Sequence, residues 1–270
     1  MKKLVIINLM LYIALTAPKA TNNLRSPDVR TLGTGGNAVV HSSLFNPALL
    51  ALYTQKEIRL DYYNRYALKE LATVSGSFSF PNKILPAGFH IASFGYDGYR
   101  ESLFRLSFGK QLNQRFSLGV GVQYALLQSD LFETAISRLA TDIGISILPA
   151  DNWLIGVSII NIPSIALTDG YNDKKYITPF LIQAGIRWQF INDMLITAGA
   201  ACMEETPFTA SVGTEYTPFP DFQLRMGIST HPLSPSAGVS YRIAMLTADV
   251  VAIYHPVLGI STGIGLSFAF

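Results

Sequence analysis

From about residue 56 onward, apolar and polar residues alternate with a period of two. The clearest stretch is Phe116-Ser117-Leu118-Gly119-Val120-Gly121-Val122-Gln123-Tyr124. Successive side chains of a strand point to opposite faces, so Phe116, Leu118, Val120, Val122 and Tyr124 share one face. Ser117, Gly119, Gly121 and Gln123 share the other. The same split sets Ile182, Ala184, Ile186, Trp188 and Phe190 against Gln183, Gly185, Arg187 and Gln189. It sets Leu224, Met226 and Ile228 against Arg225, Gly227 and Ser229, and Ile264, Leu266, Phe268 and Phe270 against Gly265, Ser267 and Ala269.

Alternation also occurs in soluble sandwiches, and three further features weigh against one here. The alternating runs are long enough for tilted strands to cross a bilayer. Aromatic residues mark their ends, as in Trp188 and Phe190, Phe208 and Tyr216, or Tyr254, in the manner of the two interfacial girdles. The last residue given, Phe270, is an aromatic inside a strand. The pattern predicts an all-β, transmembrane antiparallel barrel of about 14 strands over residues 56–270. The strands are expected to begin near residues 57, 69, 84, 102, 115, 136, 153, 178, 194, 207, 222, 236, 245 and 260. Turn residues such as Pro81-Asn82-Lys83, Asp151-Asn152 and Asn192-Asp193 give short connections after even strands. Longer loops are expected after odd strands, at residues 94–101, 127–133 and 161–176. Both chain ends then face the periplasm, and the barrel sits in outer-membrane lipid.

Residues 1–20 read as a secretory signal peptide: Lys2 and Lys3, an apolar run from Leu4 to Leu15, then Ala17 and Ala20. Composition supports export into a membrane. Charged residues are 14%, hydrophobic residues 49%, and mean hydropathy is +0.30. No run after residue 20 is long and apolar enough for a spanning helix, and only helices and closed barrels satisfy backbone groups in lipid. The net charge of +2 gives no field for nucleic acid.

Residues 21–55 do not alternate. Thr34-Gly35-Gly36-Asn37-Ala38 reads as a tight turn. Asn46-Pro47 reads as the N-cap and first residue of a short helix. A barrel of this size has a lumen wider than one layer of side chains. The segment is therefore expected to fold into it as a plug, through Gly35, Gly36, Asn37, Asn46 and Pro47; a periplasmic leader is the alternative.

No catalytic set emerges. His41, His90, His231 and His255 share no metal-ligand spacing, and Cys202 is a lone thiol in an apolar stretch. Neither enzymatic activity nor a cofactor or metal is expected. Met203-Glu204-Glu205 is an acidic loop tip. Arg105, Asp142, Arg187, Glu215, Arg225, Arg242 and Asp249 fall on the polar faces of their strands, because a charge facing lipid costs several kcal/mol near the midplane. Inside, they either clamp the plug and each other or line a permeation path.

The stretch Leu32-Gly33-Thr34-Gly35-Gly36-Asn37-Ala38, followed by Asn46-Pro47-Ala48-Leu49-Leu50, resembles the N-terminal signature of the FadL-like superfamily, and most its PorV/PorQ-type branch in the Bacteroidota. Phe94-Gly95-Tyr96-Asp97-Gly98-Tyr99-Arg100-Glu101, Val212-Gly213-Thr214-Glu215-Tyr216, Leu224-Arg225-Met226-Gly227 and His255-Pro256-Val257-Leu258-Gly259 extend the resemblance over most of the chain. The resemblance implies a 14-stranded barrel with a luminal hatch. It implies one of two roles: a subunit of an envelope complex with protein partners, for type IX secretion or outer-membrane protein handling, or a channel for small hydrophobic ligands. Short external loops are expected to favour the first.

Overall fold

The computed structural model describes Leu24 and residues 28–130, 133–168, 179–204 and 206–270. The leader expected over residues 1–20, and Glu205 of the acidic loop tip, lie outside the described residues. Fourteen strands are present among them. They are β1 (Glu57–Asn64), β2 (Ala72–Phe80), β3 (Ala87–Tyr96), β4 (Tyr99–Asn113), β5 (Phe116–Ser129), β6 (Ile136–Ile147) and β7 (Trp153–Ala166), then β8 (Leu181–Ile191), β9 (Met194–Met203), β10 (Thr209–Phe219), β11 (Phe222–Ser229), β12 (Ser234–Ile243), β13 (Leu246–His255) and β14 (Gly259–Ala269). Each pairs antiparallel with its neighbours in sequence, and β14 pairs with β1, so the sheet closes into a barrel. Every strand begins within three residues of the position expected from the alternation. No helix among the described residues is long and apolar enough to cross a membrane.

The wall inverts the usual core. In β5, Leu118, Val120 and Val122 are exposed, while Ser117, Gly119, Gly121 and Gln123 are buried. Val120 is 49% exposed and Gln123 1%. The same inversion runs along β6, β8, β12 and β14. Buried Arg, Asp, Gln and Ser face one another across the lumen; Leu, Ile, Val and Phe face outward. Such a surface is stable only against another apolar phase.

At the short-turn end, aromatics cluster on the outer wall. Trp153 and Trp188 stack with ring centroids 5.2 Å apart, and Phe190 meets Trp188 edge-on at 4.9 Å. The Lys56 ammonium lies over Phe80 and Phe270, at 5.1 and 5.9 Å. The barrel seam ends here too: Lys56 and Phe270 exchange backbone hydrogen bonds, with N···O distances of 3.1 and 2.9 Å.

The long loops expected after odd strands are partly absent. Residues 94–101 form a hairpin, pairing Phe94 with Glu101 and Tyr96 with Tyr99 around Asp97-Gly98. Asp-Gly is a strong two-residue turn signal, and Gly95 takes the positive φ of 109° that lets the strand bend into it. Strand β5 likewise runs on to Ser129 and β7 to Ala166, into stretches read as loop. His255 ends β13.

A positive charge on the outer face tests the environment of the wall. Val120→Arg is expected to lower stability by about 2–4 kcal/mol. Denaturant titration of the chain folded into lipid vesicles reads this out, and a change below half a kcal/mol would show that Val120 does not face hydrocarbon.

Candidate functional site

The interior is occupied. Residues 28–55 run across the lumen against the inward faces of the strands. Asp28 caps the helix α1 (Val29–Leu32) by accepting from the Thr31 N–H at 2.9 Å. Burial works to raise the Asp28 carboxyl, but Arg59 and the Thr31 N–H outweigh it and hold it below the usual carboxylate range. Asn46 caps the 3-10 turn Pro47–Leu52. Its Oδ1 accepts from Ala48 N at 3.2 Å, and its Nδ2 donates to Val39 O and Ile145 O, both at 3.0 Å. The second of these bonds ties the segment to β6.

Glycines on the inner wall make this fit. Gly109, Gly119 and Gly144 on β4–β6 meet the Asn46–Ala51 stretch, Gly185 and Gly199 on β8–β9 meet Asn37, and Gly213 and Gly227 on β10–β11 meet Thr34 and Gly35. A Cβ at Gly119 would overlap the backbone of Pro47 and Ala48, and one at Gly213 would overlap Thr34. Backbone lies directly on backbone there, with no flexible side chain to give way. Gly35 and Gly36, at φ of 80° and 77°, turn the segment between these contacts. The Gly35 N–H donates to Ser236 Oγ at 3.1 Å, and that hydroxyl donates to Gly33 O at 3.2 Å.

The charges foreseen on the inner faces fall into two groups. On β4–β6, Arg105 Nε lies 3.2 Å from Asp142 Oδ2 and 3.1 Å from Gln123 Oε1, and Arg105 also donates to the carbonyl of Leu44. Across the lumen, Arg225 binds Glu215 at 2.6 Å and Asp249 at 3.0 Å. Arg59 binds Asp249 at 2.5 Å and Asp61 at 3.3 Å. The segment enters this second group twice: Arg30 pairs with Glu215 at 3.1 Å, and the Val29 N–H donates to Asp61 Oδ1 at 3.2 Å. Arg187 lines the lumen but joins neither group. Arg242 has the inward parity yet is exposed at the end of β12, where the lumen opens to solvent, so it is not part of the buried set.

Sequence reasoning missed Arg59, Asp61, Gln123 and Arg30. The first two were legible: Glu57-Ile58-Arg59-Leu60-Asp61 alternates charge against aliphatic. It also missed a packed apolar cluster in the loop-side half of the lumen. Ala92, Phe94, Leu103, Ala125, Leu127 and Ile136 converge there, with Leu24 packed among them. Phe94 and Leu127 had been assigned to loops, and their strands' continued parity was the signal that places them inward.

The register of the wall shifts on the loop side. Asn161 in β7 has φ of 64°, and the β6–β7 register shifts between Ala140 and Asp142. Among the described residues, 164–166 pair with β6, and the pairing of β7 with β8 ends at Ile160 and Leu181. Asn161 ties this point down, its N–H donating to Asp142 Oδ1 at 2.9 Å and its Nδ2 to Pro179 O at 2.8 Å.

No protein-family model matches the chain, and no curated protein matches its sequence. Solved structures do match its fold. The toluene transporter TodX of Pseudomonas putida superposes with a TM-score of 0.64 at 12% identity, covering 92% of this chain and 99% of its own. A TodX variant lacking S2 and S3, a monoaromatic hydrocarbon channel, gives 0.65 at 12% identity, over 92% and 100%. A FadL homologue of Pseudomonas aeruginosa gives 0.59 at 14% identity, over 90% and 97%. The barrel therefore has the fold of FadL-type outer-membrane barrels.

Two outcomes test this geometry. Gly119→Val should unseat the segment at Pro47–Ala48, costing roughly 1–3 kcal/mol and exposing residues 28–55 to protease; unchanged protection would refute the close contact. His41 lies in the segment, and burial, then Arg187 and Arg30, hold it at about 4, below its ordinary 6.5. A base with a depressed folded value contributes stability above 6.5 that is lost as pH falls towards 4. Protease protection of the segment should fall across that window and stay flat in His41→Asn; parallel profiles would exclude His41 as the source.

Proposed function

We propose that the chain is an outer-membrane channel of the FadL type for small hydrophobic molecules, closed on its short-turn side by residues 28–55. The observation that carries this reading is the apolar cluster of Phe94, Leu103, Leu127 and Ile136 on the loop side of a charged lumen. An apolar solute entering from the loop side gains free energy by leaving water there. The segment and the ion pairs below it oppose onward movement of polar solutes. TodX is described as a transporter of toluene, and the shared fold supports carrying that solute class to this chain.

On this reading the leader is removed on export, both ends of the chain face the periplasm, and the luminal charges act as clamps. Arg105, Glu215, Arg225, Asp249 and Asp142 hold the segment and each other, and the chain performs no chemistry. A second reading, from the PorV/PorQ resemblance, is a partner barrel in an envelope complex for type IX secretion or outer-membrane protein handling. The two-residue turn at Asp97-Gly98 favours it, since short external connections leave little to catch a solute.

Uptake into cells producing the full-length chain separates the two. A monoaromatic hydrocarbon should enter faster than in cells without it, a sugar of similar size should not, and Ala125→Trp should abolish the gain by crowding the cluster. Equal hydrocarbon uptake with and without the chain, together with a stable protein partner in mild detergent, would favour the partner-barrel reading.

A further inference from the structure

The ion pairs of the lumen leave one guanidinium over. Glu215 is the carboxylate nearest in charge to Arg187, yet both its oxygens are taken, Oε1 by Arg30 at 3.1 Å and Oε2 by Arg225 at 2.6 Å. Arg187 makes no ion pair or hydrogen bond among the described residues. It lines a cavity of about 340 Å³ together with Arg30, His41 and Tyr53. Glu57 and Ala269, at the short-turn ends of β1 and β14, also line it, so the cavity lies below the segment on that side. His41 Nε2 is buried with no partner.

Arg187, Arg30 and the buried Nε2 of His41 therefore line one cavity wall, and among the described residues no carboxylate of that lining is in an ion pair with Arg187. Like charges placed together disfavour one another, and an anion between them removes that cost. Guanidinium groups suit this task because their planar donors match the oxygens of carboxylates and other oxyanions. Asp28 and Glu57 also line the cavity, and neither makes an ion pair with Arg187 among the described residues. Asp28 is turned to Thr31, accepting from both its N–H and its hydroxyl at 2.9 Å, and Glu57 sits at the strand end beside Arg59.

We propose that this cavity is an oxyanion site, in which Arg187, Arg30 and His41 receive the carboxylate or inorganic oxyanion of a small solute on the short-turn side of the barrel. The site is separate from the loop-side apolar cluster, with the segment between them. Because Arg30 and His41 belong to the segment and Arg187 to β8, a bound anion also ties the segment to the wall. His41 faces Arg187 on β8, Glu215 on β10, and Arg30 and Asp28 of the segment itself. An anion added to that set favours the protonated ring, so binding and protonation of His41 reinforce each other.

Isothermal titration of the full-length chain in detergent, with sulfate and separately with benzoate, tests the assignment. Sulfate keeps its charge as pH falls from 6.5 towards 4, so any change in its affinity belongs to the protein. At least one of the two should bind, and sulfate, where it binds, should do so more tightly at the acid end. Arg187→Gln should weaken binding by roughly tenfold or more, and Arg187→Lys by less, since it keeps the charge without the planar fork. Sulfate alone binding would assign an inorganic anion, and benzoate alone a carboxylate solute. Saturation should also raise the His41 titration midpoint followed by NMR, a readout that a destabilised variant does not compromise. No binding of either anion, or equal binding by Arg187→Gln, overturns the proposal. No permeation step is measured, so the result is independent of whether the barrel passes hydrocarbons.

Discussion

A backbone surrounded by hydrocarbon has no water with which to pair its N–H and C=O groups, and an open sheet leaves two edges unpaired. The closure of β14 onto β1 satisfies this constraint, and much else follows from it. With the edges gone, each strand presents one row of side chains to the outside and one to the lumen. The outer row must be apolar, so Val120 and Leu118 stand where a soluble protein would put charge. The inner row is released from that demand. It collects the polar residues that cannot face out, and it must then satisfy them within an enclosed space.

Fourteen strands enclose more room than one layer of inward side chains fills. Here residues 28–55 lie against the inward faces of the strands. Two devices hold that segment. Glycines remove the inner row where backbone must meet backbone, as at Gly119 beneath Pro47 and Ala48. Ion pairs and side-chain amides then meet the segment's unpaired carbonyls and amides: Arg105 takes Leu44 O, Gln183 takes Phe45 O at 3.1 Å, and Asp61 takes the Val29 N–H. The interior thus resembles a polar core built around a short irregular peptide.

The barrel itself was legible because its signal is periodic. One-residue steps between lipid and lumen leave a pattern that survives wherever a strand is long, and the fourteen starts could be placed from it. The ends of strands were less legible. Phe94 and Leu127 continue the inward parity, but glycine and polar neighbours at the loop side read as turns, and the apolar cluster they build was invisible for that reason. Arg242 failed in the opposite sense: its parity was right, but parity does not report depth, and at the end of β12 an inward side chain reaches solvent. Which charge pairs with which was not readable at all, since Arg59 and Asp249 are 190 residues apart and meet only through closure.

The pairing pattern carries the last step. Along β1, β13, β11 and β10 the charges alternate as Asp61, Arg59, Asp249, Arg225, Glu215 and then Arg30 of the segment, each within 3.3 Å of the next. Such a chain neutralises itself internally, and removing any member strands its neighbours in a space with little water. It therefore fixes the segment's first turn firmly to one side of the barrel. On the other side the segment is held by Asn37 against Gly185 and Gly199, by Gln183 to Phe45 and by Arg105 to Leu44. Arg187, near that boundary, makes no ion pair among the described residues. Natural sequences depart from local satisfaction mainly where function requires it. The lumen departs in three places: the unpaired Arg187, the broken register at Asn161, and the apolar lining on the loop side. These lie around the segment rather than within the ion-paired chain. The ion-paired chain and the solute sites proposed above therefore fall in different parts of the same interior.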